Sequence, residues 1–132
     1  MKSLPIYQVD AFASNLFKGN PAAVCPLDKW LSDETMQAIA AENNLSETAF
    51  FVPETDGYRI RWFTPNEEVA LCGHATLASS YVLFNQLGFS GEEIIFNSLS
   101  GKLWVKTQVK AWLWTFQFCP MKKLISVLNC SI

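Results

Sequence analysis

Apolar positions along the chain fall into two kinds of run. One is short with partial or full alternation; the other is a single long run with almost no polar face. From Leu4 to Phe12 the apolar residues Ile6, Tyr7, Val9, Ala11 and Phe12 alternate in part, which predicts a strand entering a core. Ala22 to Leu27 predicts a second strand, with Pro26 restricting it to an edge or an end. Ser32 or Asp33 can cap a helix reaching about Glu42, with Met36, Ile39 and Ala40 as its apolar stripe and Asn43-Asn44 as its stop. Ala49 to Val52 reads as a buried strand ended by Pro53, and Asp56-Gly57 as a hairpin turn. Tyr58, Ile60 and Trp62 then share one face, and Arg59, Arg61 and Phe63 the other. Ile94 to Asn97 and Lys102 to Lys106 predict a second hairpin around Ser100-Gly101.

The long run is Val69 to Gly88. It begins as a short apolar strand, turns at Cys72-Gly73-His74 and continues as a helix broken only by Ser79, Ser80, Asn85 and Gln86. A helix apolar on nearly every face belongs inside a protein. This one is too short and too interrupted to span a bilayer. The element order β-β-α-β-β-α-β-β, with one buried helix, predicts an α+β domain in which a curved sheet wraps around that helix.

Composition changes this picture little. The chain has 132 residues, of which 50% are apolar and 17% charged, which suits one ordered domain. A net charge of −2 offers no electrostatic basis for binding nucleic acid or an anionic membrane. Asp10 interrupts the stretch where a secretion signal needs an unbroken apolar core, and a cytoplasmic location is expected. Cys25, Cys72, Cys119 and Cys130 have no CxxC spacing, and the chain has one histidine, so reduced thiols and no metal are expected.

The candidate chemistry lies at the start of the buried helix. Its first N–H groups lack intrahelical partners and carry partial positive charge, and His74-Ala75-Thr76-Leu77 contains no acid to occupy them. Gly73 permits close approach, so the site suits a carboxylate or a developing enolate. His74 can donate a hydrogen bond to the same ligand. A helix-start histidine, a small buried cysteine at Cys72, a strand-start Glu47 and a turn-forming Asn20 also have purely structural readings.

The segments DAFASNLFKGNPAAVCPL, NNLSETAFF, IRWFTPNEEVALCGHATLASSYVLF and LSGKLWV, in this order and spacing, resemble the phenazine-biosynthesis (PhzF-like) isomerase family. That family has the diaminopimelate-epimerase-like fold. The resemblance covers about residues 4–106. It implies two similar domains, each a mixed sheet curled around a central helix, with the active site in the cleft between them. It implies Glu47 as the acid/base group that moves a proton on a small carboxylate-bearing metabolite. Gly73, His74, Asn20 and Cys72 are then substrate-binding residues. No nucleotide loop, metal cluster or flavin motif is evident, so cofactor-independent chemistry is expected, with a small-molecule substrate, no nucleic-acid or membrane partner, and room for a homodimer. A second reading is a racemase or epimerase using Cys72 as one of two opposed bases. A third is a non-catalytic fragment or interaction protein.

Beyond residue 106 the resemblance is not followed. Residues 107–132 are read as an atypical tail, and no second family domain is recognised. Read one nucleotide out of frame, one back-translation of residues 106–125 yields DSGQGLALDFPILPDEEI, whose LALDFP resembles the family's continuation after SGKL. A frameshift or splice origin is therefore expected for the tail. With one wall of the cleft, weak or absent turnover is expected.

Overall fold

The computed structural model describes residues 4–11, 20–108, 113–118 and 123–128. The elements are β1 (Tyr7–Ala11), β2 (Asn20–Pro26), α1 (Asp33–Asn43), β3 (Glu47–Glu54), β4 (Gly57–Phe63), β5 (Glu68–Val69), α2 (Gly73–Asn85), β6 (Glu93–Ser98), β7 (Gly101–Gln108), β8 (Leu113–Phe118) and β9 (Lys123–Leu128). They form one mixed sheet in the order β1-β2-β3-β4-β6-β7-β8-β9, with β5 paired to β4. The pairs β2–β3 and β4–β6 are parallel and the rest antiparallel. Parallel neighbours need a crossover. Helix α1 lies in the first crossover, and β5 with α2 in the second.

Alternation along the strands decides which helix each face meets. Ala22, Val24, Ala49, Phe51, Ile60, Trp62, Ile94, Phe96, Leu103 and Val105 are buried together with Ala75, Leu77, Ala78, Val82 and Leu83 of α2. The opposite face puts Cys25, Phe50 and Phe63 against Met36 and Ala40 of α1. Helix α2 touches β1, β2 and β3 and also β8, near the far end of the strand order. All four can reach one helix only if the sheet curls around it.

The hydroxyls inside α2 do not oppose its burial. Thr76 Oγ1 donates to the Cys72 carbonyl at 2.7 Å, Ser79 Oγ to Ala75 at 2.8 Å and Ser80 Oγ to Thr76 at 2.9 Å. Each short polar side chain thus satisfies itself on its own helix, leaving the outer surface apolar.

Of the two candidate caps for α1, the structure uses Ser32. Its Oγ accepts from the Thr35 N–H at 3.1 Å, and Asn44 closes the other end in the left-handed region at φ 52°. Ser32→Ala is expected to cost about 1 kcal/mol, measured as a lower denaturation midpoint with an unchanged slope.

Strand β3 runs past the expected stop at Pro53 to Glu54. Its pairing with β2 ends at Pro26↔Phe51, so beyond that point one edge of β3 is unpaired by β2 and a proline is tolerated. At the β3–β4 turn, Gly57 has φ 151°, and a Cβ there would collide with the Ile95 carbonyl, so glycine is required on both counts. Strands β8 and β9 lie within the segment read as an atypical tail and continue the sheet antiparallel from β7. Among the described residues no helix is long and apolar enough to cross a membrane.

Candidate active site

Pairing brings the site together from distant parts of the chain. Strand β3 starts at Glu47 and pairs with β4 through Thr48↔Phe63. The same end of β4 pairs with β5 through Phe63↔Glu68, and β5 leads into Cys72, the residue that caps α2. The start of β3 and the start of α2 therefore share one end of the sheet. The parallel register Ala22↔Glu47 puts the beginning of β2 there too. Asn20 is the first residue of β2; its side chain lies outside the described residues.

At this end His74 Nε2 stands 2.7 Å from Glu47 Oε2, with the two side chains 12% and 20% exposed. The atoms are within ion-pair range but misaligned for a hydrogen bond, and neither has another partner among the described residues. On the other side of the imidazole, Cys72 Sγ lies 3.3 Å from Nδ1. Donor atoms of Glu47, Cys72 and His74 all fall within 4.8 Å of one another.

Burial dominates the electrostatics. It lowers the pKa of His74 from the ordinary imidazole value, with the Glu47 carboxylate opposing that shift. It pushes the Cys72 thiol up to about 12, while the Ala75 and His74 N–H groups pull the other way. Those amides face the sulfur without closing a side-chain cap on α2. The first turn of α2 carries no acidic residue, so its partial positive charge is not neutralised within the helix. Gly73 has open space around its would-be Cβ, and no positive φ is recorded there. Neither steric contact nor backbone strain among the described residues demands a glycine. Its effect is to leave the helix start uncovered.

Arg61, read from the sequence as a strand residue, turns out to brace this end. Its Nε and Nη2 donate to Glu68 Oε2 and Oε1 at 2.7 and 2.8 Å, and Nη1 donates to Asp33 Oδ1 at 3.0 Å. The guanidinium also lies over the rings of Trp30 and Phe63, at 5.5 and 5.3 Å. This bidentate clamp fixes β5, just ahead of the Cys72 corner, to β4 and to the start of α1. The sequence signal was weak: a positive charge on the outer face of β4 and an acid in the following loop.

The site can accept a proton at Glu47, hold an anion at the α2 start, and offer oxygen, nitrogen and sulfur donors to a cation. Comparison with known proteins sets that chemistry in a family. The model of the phenazine biosynthesis-like protein family matches residues 9–126. An uncharacterized isomerase of Pseudomonas aeruginosa is 59% identical over 105 residues, covering 80% of this chain and 40% of its own length. A crystal structure of a PhzF-family phenazine biosynthesis protein from Enterococcus faecalis superposes with a TM-score of 0.82 at 54% identity, over 86% of this chain and 43% of that one. A hydroxyproline epimerase from Agrobacterium vitis shares the fold alone, with a TM-score of 0.60 at 8% identity over 86% of this chain and 41% of its own. The chain thus spans about 40% of the length of the curated relatives it matches. With the buried helix, the curled mixed sheet and the Glu47–His74 corner in place, the chain belongs to the phenazine biosynthesis-like protein family, whose curated members include proteins named as isomerases.

Proposed function

We propose that this chain carries one wall of an isomerase site that shifts a proton, without a cofactor, on a small carboxylate-bearing metabolite. The observation that carries this reading is the 2.7 Å approach of Glu47 to His74 beside an α2 start that has no acid in its first turn. The carboxylate of the substrate is held by the first N–H groups of that helix, which have no intrahelical partner, over Gly73, and His74 bonds to the same ligand. Glu47 takes a proton from the adjacent carbon and returns it elsewhere on a conjugated framework. The low-dielectric surroundings strengthen the attraction between the helix start and the negative charge that develops as the proton leaves.

The alternative in which Cys72 is the base needs a thiolate. Burial favours the neutral thiol instead, with the sulfur 7% exposed as part of its residue and its pKa near 12. The two readings separate in one experiment. Candidate carboxylates are incubated in deuterated water with this chain and with a full-length relative, before and after treatment with iodoacetamide near neutral pH. Cofactor-free deuterium uptake at carbon, with Cys72 unmodified and activity intact, is the expected result. Rapid alkylation of Cys72 with loss of uptake would favour a cysteine-dependent racemase or epimerase. No uptake by the full-length relative on any carboxylate that binds would overturn the isomerase reading.

A further inference from the structure

The side chains at the head of α2 form a donor set that proton transfer does not exhaust. Glu47 contributes a carboxylate oxygen, His74 an imidazole nitrogen and Cys72 a sulfur, all within 4.8 Å of one another. The donors come from two elements, β3 and the α2 corner, and all three residues are buried or partly buried. They are therefore not an exposed acidic cluster. Glu47 Oε2 and His74 Nε2 are themselves buried atoms, 2.7 Å apart, and neither has an aligned hydrogen bond. Buried polar atoms left in that state call for an explanation, and an electrophile shared between them supplies one.

Around a tetrahedral zinc ion, nitrogen and oxygen ligands at about 2.0–2.2 Å lie roughly 3.3 Å from each other. Cys72 Sγ stands 3.3 Å from Nδ1 and Glu47 Oε2 2.7 Å from Nε2, so an ion bound through one ring nitrogen keeps one neighbour in place and draws the other in from within the 4.8 Å that holds all three donors. Gathering the three donors onto one ion therefore takes a rotation of the imidazole or of the Glu47 side chain about its staggered torsions. The donor types select the ion. Sulfur and imidazole favour zinc-class divalent cations over magnesium and calcium, which prefer all-oxygen shells. A thiolate and a carboxylate together balance the double charge, and the neutral imidazole adds none.

We propose that Glu47, Cys72 and His74 form a binding site for one zinc-class divalent cation, and that the ion silences the site by occupying the Glu47 oxygen and a His74 nitrogen. As the metal–sulfur bond forms, the Cys72 thiol proton leaves to solvent. The proposal uses the residues of the proposed isomerase site, but binding of the ion does not depend on that activity.

The test uses reduced protein stripped of metal by a chelator. Zinc chloride is titrated by calorimetry and cobalt(II) by absorption. One zinc ion per chain is expected to bind, and cobalt is expected to show a sulfur-to-metal charge-transfer band. Cys72→Ser removes the band. Cys72→Ser, His74→Gln and Glu47→Gln each weaken zinc by at least about tenfold, a loss seen even for groups that only support a metal ligand. A variant with Cys25, Cys119 and Cys130 replaced keeps both signals. Circular dichroism checks folding, and His74→Gln, which removes a ligand with little change in bulk, remains informative if the cysteine variant misfolds. Absence of saturable zinc binding, a cobalt band that survives Cys72→Ser, or indifference to both Glu47→Gln and His74→Gln would overturn the site. Deuterium uptake by chelator-treated protein that binds no zinc sinks this inference and leaves the isomerase reading standing. Saturable zinc binding without any uptake supports the site and counts against that reading.

Discussion

Glu47→Gln is expected to lower deuterium uptake into the substrate by about 100- to 10,000-fold, the range over which a positioned acid or base contributes. The substitution keeps the length and planarity of the side chain, so the start of β3 and the packing around Phe50 and Phe51 stay in place. It removes the one thing the mechanism requires of this residue, an oxygen that can take up a proton and give it back. Substrate affinity should change little, because the α2 start and His74 hold the carboxylate in the proposed scheme. His74→Ala should show the reverse split, with weaker binding and a smaller effect on the bound complex. Both variants are measured by deuterium incorporation in this chain and in a full-length relative changed at the same position of its matching segment. Near-normal uptake by the Gln variant removes Glu47 from the mechanism. Unchanged binding by the Ala variant removes His74 as a ligand contact.

From the residues alone the candidates were readable, but their meeting was not; only the family resemblance implied it. Cys72 and His74 are two residues apart, so their 3.3 Å contact follows from local geometry at a helix start. Glu47 joins them only through the register of β3 on β4 and β4 on β5. Nothing in the spacing of NNLSETAFF and CGHAT shows that register. The same pairing makes possible a three-donor cluster in a chain whose single histidine and lack of CxxC spacing argued for no metal. Arg61 was missed for a related reason, since Asp33 and Glu68 converge on it only after α1 has crossed the sheet and β5 has turned back on β4.

The fold was more legible, because burial leaves periodic marks. Ile60 and Trp62 are both 1% exposed on the α2 face, as the alternation of β4 implies. Phe63 shows where alternation stops being informative. It points away from α2 and is still only 2% exposed, because α1 covers that face. Period two tells which residues share a face, but not whether a second layer covers it. For α2 the nearly continuous apolar run was sufficient, since its hydroxyls bond to the preceding turn. Residues Trp114-Thr115-Phe116-Gln117-Phe118 do alternate, and the backbones of 113–118 and 123–128 pair outward from β7. Pairing to a sheet edge uses N–H and C=O groups that every non-proline residue has, so alternation signals a strand there without naming the edge it joins.

Phe51→Ala and its neighbour Phe50→Ala make the largest stability prediction, and together they separate the two faces of the sheet. Each ring is essentially buried, at 2% and 0% exposure. Each truncation is expected to cost about 3–5 kcal/mol, a large share of the roughly 5–15 kcal/mol that holds a domain together. The rings meet different partners. Phe51 packs edge-on against Tyr58 at 5.4 Å and Phe96 at 6.3 Å, within the cluster that contains α2. Phe50 packs edge-on against Phe63 at 5.5 Å, within the cluster that contains α1. Native-state hydrogen exchange should therefore respond unequally. Phe51→Ala should speed exchange most at Leu77, Ala78 and Val82, and Phe50→Ala most at Met36 and Ala40. If Phe51→Ala does not fold, Phe51→Leu poses the same question with a smaller loss of packing. Because α2 begins at the Cys72 corner, only the Phe51 variants should also loosen the Glu47–His74 approach, and with it any binding at that end of the sheet. Equal loss of protection in both helices from either variant would mean that the two clusters open as one unit, and that the site is no more sensitive to one face of the sheet than to the other.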